Sequence, residues 1–148
     1  MKLWLDLEQT IISVWDDPVI CNKEKVMKFV KNHSPTEVNI FSFAVWDDKD
    51  RYHFNENMKS WLEDVFEFRI NRVPTVDEMV RKIHTQKGTV FTRSEFTAIW
   101  RKEKAFIDWI VETEGAGEFI LIDDAVDNIT MTRHRSNKTI HILNVDWL

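Results

Sequence analysis

Two short apolar runs stop abruptly on acids, and nothing else in the sequence restricts the fold as much. Leu3-Trp4-Leu5 is followed by Asp6, and Phe119-Ile120-Leu121-Ile122 by Asp123-Asp124. A short run apolar at every position suits a strand covered on both faces, the situation of a parallel sheet between helices. The stretches between carry helical spacing. Val26, Phe29, Val30 and His33 repeat along 22–33, with Asn22 as N-cap and Pro35 as the stop. Met58, Trp61, Leu62, Val65 and Phe66 share one face of a helix over 55–66. Thr75-Val76-Asp77-Glu78 and Thr92-Arg93-Ser94-Glu95 are capping boxes. They open helices to about His84 and about Glu114, the second closed by Gly115 and Gly117. Glu37–Ala44 and Lys138–Val145 are rich in β-formers and read as strands. Glu67–Val73 alternates and reads as an edge strand. Strands alternating with helices predict an α/β three-layer sandwich around a mainly parallel, Rossmannoid sheet, one domain over 1–148.

Composition narrows the function. The 148 residues carry 20 Lys+Arg against 25 Asp+Glu, a net charge of −5, which argues against a general duplex-DNA coat. A single cysteine, Cys21, excludes a disulfide framework and a cysteine-based zinc site. No run approaches the roughly 18 apolar residues of a membrane span, and no signal-peptide core is visible. A reduced, cytoplasmic setting is the expectation. The seven Trp and ten Phe are many for this length and belong mostly to the core.

In parallel α/β sheets, ligands bind beyond the carboxyl ends of the strands. Here those ends carry Asp6 after the first strand, Ser42 in the second, and Asp123-Asp124 after the strand over 118–123. Glu8 lies two residues past Asp6, and Asp127 and Asn128 follow the acid pair. Carboxylates converging on one point repel unless a cation sits among them, and an oxygen-only ligand set favours Mg²⁺ over zinc. The five histidines show no metal-ligand spacing, and Arg133–Lys138 is a basic run between elements, able to touch a polyanion if it lies near the acids.

This ordered set resembles the haloacid dehalogenase (HAD-like) superfamily of phosphohydrolases. Asp6-Leu7-Glu8-Gln9-Thr10 is similar to its first motif, Ser42 to its second, and Ile120-Leu121-Ile122-Asp123-Asp124 to its acid-pair motif. Lys104 fits its motif lysine best by distance, with Lys102 as the rival. The resemblance implies a phosphatase that forms an aspartyl-phosphate on Asp6. Mg²⁺ would be held by Asp6, the main-chain carbonyl of Glu8, and the pair Asp123 and Asp124. Glu8 would act as general acid and then base. Lys104 or Lys102, Ser42 and Thr10 would serve the phosphoryl group, with Thr10 steadying the loop. About thirty residues separate the first two motifs, too few for a large cap domain. The resemblance therefore implies an open site, suited to macromolecular or nucleic-acid phosphates, with a protein partner as another means of closure.

Two positions depart from the family pattern. Glu8 stands where an Asp is usual, and Gln9 where a Gly is usual, so weak but real turnover is expected. Two other readings compete. A PIN-like metal-dependent nuclease would recruit a further acid, Glu63 or Glu78. A catalytically silent HAD-fold protein would instead bind a partner through exposed aromatics.

Overall fold

The computed structural model describes residues 1–87 and 92–148. Its centre is a five-stranded sheet in the order β2-β1-β3-β5-β4. The strands are β1 (Lys2–Leu5), β2 (Glu37–Ile40), β3 (Gly117–Asp123), β4 (Ile129–Arg133) and β5 (Lys138–Asn144). The pairings β1–β2, β1–β3 and β3–β5 are parallel; β4 closes one edge antiparallel to β5. The helices are α1 (Lys23–His33), α2 (Asp48–Asn57), α3 (Lys59–Phe66), α4 (Val76–Lys87) and α5 (Arg93–Thr113).

Strand alternation sends successive side chains to opposite faces, and each face has its own core. Leu3, Leu5, Ile120 and Ile122 join Val26 and Phe29 of α1, Phe54 of α2, and Leu62 and Phe66 of α3. Trp4, Phe119 and Leu121 join Met79 and Ile83 of α4 and Phe96, Phe106 and Trp109 of α5. Neighbouring residues of β1 and β3 thus serve different layers, which is why those strands are apolar throughout. The expected mainly parallel α/β sandwich is present.

Four local expectations need correction. The stretch 67–73 is not a strand; its apolar residues pack as loop onto the first core, with one isolated bridge between Ile70 and Val38. The helix over 55–66 is two helices. The first begins at Asp48, seven residues earlier than expected, because the Asp47 side chain accepts from the Asp50 N–H at 3.0 Å and caps it. The second strand ends at Ile40, four residues early. Finally, β4 forms over residues to which the sequence assigns no element, four of its five side chains being exposed.

The segment from β1 to α1 is compact, with Leu7, Ile11 and Ile12 buried in the first core. Leu7 accepts the amides of Thr10, Ile11 and Ile12, forming a tight turn, and Ile12 then bridges Ile20 antiparallel in a short hairpin. Gln9 takes φ 61°, the left-handed value that glycine holds most cheaply. Its amide donates to the Ile12 carbonyl at 2.7 Å, and its side-chain Nε2 to the Ser13 carbonyl at 2.7 Å. This left-handed turn is held by a glutamine anchored through both its amide and its side chain.

Candidate active site

The carboxyl ends of β1, β2 and β3 open into one cleft of about 490 Å³, lined by Asp6, Glu8, Ser42, Lys102, Asp123 and Asp124 among others. Parallel registration brings these ends level: Leu5 lies opposite Ile40 on one side and Ile122 on the other. The Asp6 amide donates to the Ile122 carbonyl at 3.0 Å, so its carboxylate leaves the sheet beside that of Asp123.

Asp6 is the hub. Its Oδ1 accepts from Lys102 Nζ at 2.7 Å and its Oδ2 from the Thr10 hydroxyl at 3.2 Å. Lys102 Nζ also stands 3.3 Å from Asp123 Oδ2, an ion-pair distance without hydrogen-bond geometry. Asp123 Oδ1 accepts from the Ala125 amide at 2.8 Å. The Thr10 hydroxyl reaches Asp124 Oδ1 at 3.5 Å. Asn144, at the end of β5, braces this loop by donating to the Asp124 and Val126 carbonyls at 3.2 and 2.9 Å. Asn128, one of the two polar residues trailing the pair, accepts from the Asn144 amide at 2.7 Å; Asp127, the other, is exposed.

The charges are set by burial against pairing. Burial is the larger influence on Asp6 and, with repulsion from Asp123, outweighs Lys102, so its pKa rises to about 6. Asp124 is pushed up by burial and by Asp123. Burial would lower Lys102, yet Asp6 and Asp123 outweigh it and hold the ammonium charged.

Oxygens of Asp6, Asp123 and Asp124 all lie within 4.8 Å of one another. Mg²⁺ takes six oxygens at roughly 2.1 Å, which sets opposed ligands about 4.2 Å apart, so small side-chain shifts suffice to close the cluster. Three carboxylates against one ammonium leave two negative charges uncompensated, which suits a divalent ion. Asp123 Oδ2, buried without a hydrogen bond, is the kind of atom such an ion would satisfy. The residues present fit a hard divalent cation.

Of the residues expected at the site, Asp6, Glu8, Ser42, Lys102, Asp123 and Asp124 come together. Lys104 does not: its ammonium sits 4.6 Å over the Trp100 ring, outside the cleft, so the lysine of the site is Lys102. The reason is a break at Arg101 (φ 54°, ψ 173°), which divides α5 and delivers Lys102 at the start of its second half. Thr10 is fully buried and holds Asp6 and Asp124 in place, so it cannot touch a phosphate in the cleft. Ser42 is buried apart from its cleft face, and its Oγ accepts from the Ala44 amide at 3.1 Å. Glu8 Oε2 accepts from the Trp15 amide at 2.9 Å, a tie to the hairpin, and the residue lines the cleft.

The basic run lies at the wrong end. Lys138 pairs with Gly117 at the start of β3, whereas Asp123 ends that strand about 20 Å away at 3.3 Å per residue. Glu63 accepts from the Ile70 amide at 2.8 Å, and Glu78 caps α4 and pairs with Arg51; neither joins the acid cluster. Sequence reasoning missed Asn144 and the aromatic wall formed by Phe43 and Trp46. The only sequence signal for Asn144 was its place at a strand end, level with Asp123. Among the described residues, no helix is long and apolar enough to cross a membrane. No family model, no curated protein and no solved structure matches this chain.

Proposed function

We propose that the protein is a Mg²⁺-dependent, HAD-like phosphohydrolase that works through an aspartyl-phosphate on Asp6. One observation carries this reading: a strand-end carboxylate, buried yet facing an open cleft, is shared between Lys102 and Thr10 beside two further acids. A structural ion pair has no use for two surplus negative charges, and perturbed carboxylates gathered in a cleft mark functional sites.

The chemistry follows from the positions. An Asp6 carboxylate oxygen attacks phosphorus of a monoester as the bond to the leaving oxygen breaks. A protonated Glu8 carboxyl delivers its proton to that oxygen. Glu8, now a carboxylate, takes a proton from water as the water oxygen attacks phosphorus. The bond to Asp6 then breaks, releasing inorganic phosphate and regenerating the carboxylate. Lys102 offsets charge on Asp6 and on the phosphoryl group, and the Ser42 hydroxyl donates to a phosphoryl oxygen. Mg²⁺, when bound by the acid cluster, supplies the charge compensation that lets a carboxylate approach a phosphate.

The test is Mg²⁺-dependent release of phosphate from phenyl phosphate and glycerol phosphate. Asp6→Asn is expected to abolish it. Glu8→Gln is expected to lower turnover roughly 10²-fold, the scale of one general acid–base group. Glu8→Asp is expected to raise it, since the shorter side chain restores the reach that the family pattern implies. Wild type indistinguishable from Asp6→Asn on both esters overturns the reading.

A further inference from the structure

The cleft has one feature that the chemistry at Asp6 does not need. Trp46 stands half-buried in its wall, and the surrounding structure fixes it firmly. Its amide donates to Asp50 Oδ2 at 3.0 Å and its carbonyl accepts from the Asp77 amide at 3.0 Å. The Val45 carbonyl before it accepts from the Val76 amide at 2.9 Å. The Arg93 guanidinium lies 5.6 Å from the centre of the indole. Arg93 is itself clamped: its Nε and Nη2 donate to the two oxygens of Asp77 at 2.6 and 2.8 Å, and its Nη1 is 3.7 Å from Asp47. A bidentate arginine on an aromatic ring is a rigid arrangement. The indole is therefore positioned before any ligand arrives, which limits the ordering cost of stacking on it.

The rest of the lining says what should stack there. The acids are Asp6, Glu8, Asp123 and Asp124; among the described residues of the lining the one cation is Lys102, already held by Asp6 and Asp123. Among the described residues that lining offers no further cation to pair a second phosphate, and the acids gathered there repel one. The remaining walls are Phe43, Trp46, Ala44, Ala125 and the polar Gln9, Ser42 and Thr97. We propose that Trp46 is a specificity-determining platform, and that the substrates are phosphate monoesters whose leaving group carries a planar ring, aryl or nucleobase, and no second phosphate. This rests on the hydrolytic reading above and adds the substrate class to it.

The experiment compares kcat/KM on four monoesters with Mg²⁺: phenyl phosphate and O-phosphotyrosine as aryl esters, adenosine 5′-monophosphate as the nucleobase ester, and glycerol phosphate as the ringless reference. At least one ring-bearing ester is expected to exceed glycerol phosphate by about tenfold or more, the scale of one aromatic stack. Which of them does so tells an aryl from a nucleoside source. Trp46→Ala should lower that ratio about tenfold from its wild-type value, a change that cancels the intrinsic reactivity of an aryl leaving group, and Trp46→Phe should retain most of it. The ratio is an internal control, because loss of folded protein lowers both esters together. If the Ala variant does not fold, Trp46→Leu takes its place in the comparison with Phe. Equal turnover of ringed and ringless esters by wild type overturns this inference alone. A ratio that survives Trp46→Ala or Trp46→Leu also overturns it. Turnover of none of the four above the Asp6→Asn background overturns the hydrolytic reading beneath it.

Discussion

The two ends of β1 both carry clusters of charge, and they are built on opposite plans. At the amino end, Lys2 pairs with Glu37 and Glu114, and Arg72 pairs with the same two acids. Two cations meet two anions, and Arg72 also covers the Trp4 ring at 4.8 Å. Burial would raise the Glu37 pKa, but Lys2 and Arg72 outweigh it and bring it down. At the carboxyl end, Asp6, Asp123 and Asp124 face Lys102, and burial wins at Asp6. The first cluster is balanced and closes the sheet; the second is unbalanced and opens onto a cleft. Three residues of β1, Leu3 to Leu5, separate Lys2 in a balanced network from Asp6 in an unbalanced one.

Removing the cation from each end should break the comparison most visibly. Lys102→Met leaves Asp6 and Asp123 buried with no counter-charge, which costs about 3–5 kcal/mol for a buried pair. Lys2→Met removes a partly exposed partner from acids that keep Arg72, so the expected loss is about 1 kcal/mol or less. Urea unfolding at pH 7 without metal measures both. Equal losses would mean that the two clusters are the same kind of structural network, and the functional reading of the second would lose its electrostatic support.

The same contrast explains what the sequence reveals. The acids at the cleft were legible because apolar runs stopped on them, and parallel sheets put such stops at one edge. Lys102 was not, because the choice between it and Lys104 depends on helix phase. Two residues are about 200° apart on a helix, so only one can face the cleft. The break that decides it falls on Arg101, with no glycine or proline to announce it. The hairpin strand β4 was hidden for another reason: strand periodicity is visible only when one face is buried, and this strand is mostly exposed. The alternation over 67–73 misled in the reverse sense, since a loop laid across a core buries apolar residues without joining the ladder. Glu37 and Glu114, far apart in sequence, gave no sign of sharing two cations.

The two ends should also respond to pH in opposite directions. Asp6 has a folded pKa of about 6 against an ordinary value of 3.8. A raised carboxylate adds stability below its unfolded pKa and loses that contribution as pH rises through the folded one. Glu37, lowered, contributes above its unfolded pKa and loses that as pH falls. Asp6→Asn removes the first titration and leaves the second. The stability of Asp6→Asn relative to wild type should therefore climb between pH 4 and pH 7, by on the order of 2–3 kcal/mol, and level off above. Thermal melts in EDTA across that range test it. A flat difference would mean that Asp6 is not held charged at a cost. Millimolar Mg²⁺ at pH 7 should then raise the melting temperature of wild type more than that of Asp6→Asn, because it stabilises the state in which the acids are ionised.

The smallest expected effect concerns how Lys102 is delivered to the cleft. Arg101 combines φ 54° with ψ 173°, a region that is essentially restricted to glycine. Its side chain is exposed, so the conformation is not forced by burial of the arginine itself. The neighbours impose it: Trp100 is buried on one side, with its Nε1 donating to Asp108 at 2.7 Å, and Lys102 is tied to Asp6 on the other. Arg101→Gly relieves the steric cost at that residue but gives the unfolded chain more freedom, so the two effects partly offset. The net should be a gain of about 0.5–1 kcal/mol, because relief at a glycine-only conformation is of order 1–3 kcal/mol. Turnover and the pH profile of wild type should be retained, since Lys102 keeps its place. Arg101→Val, which cannot accept a positive φ, should lose stability and turnover together as Lys102 swings out of line. If Gly and Val behave alike in urea unfolding and in phosphate release, the break at Arg101 does not position the lysine, and Lys102 reaches Asp6 by packing of the second half of α5 alone.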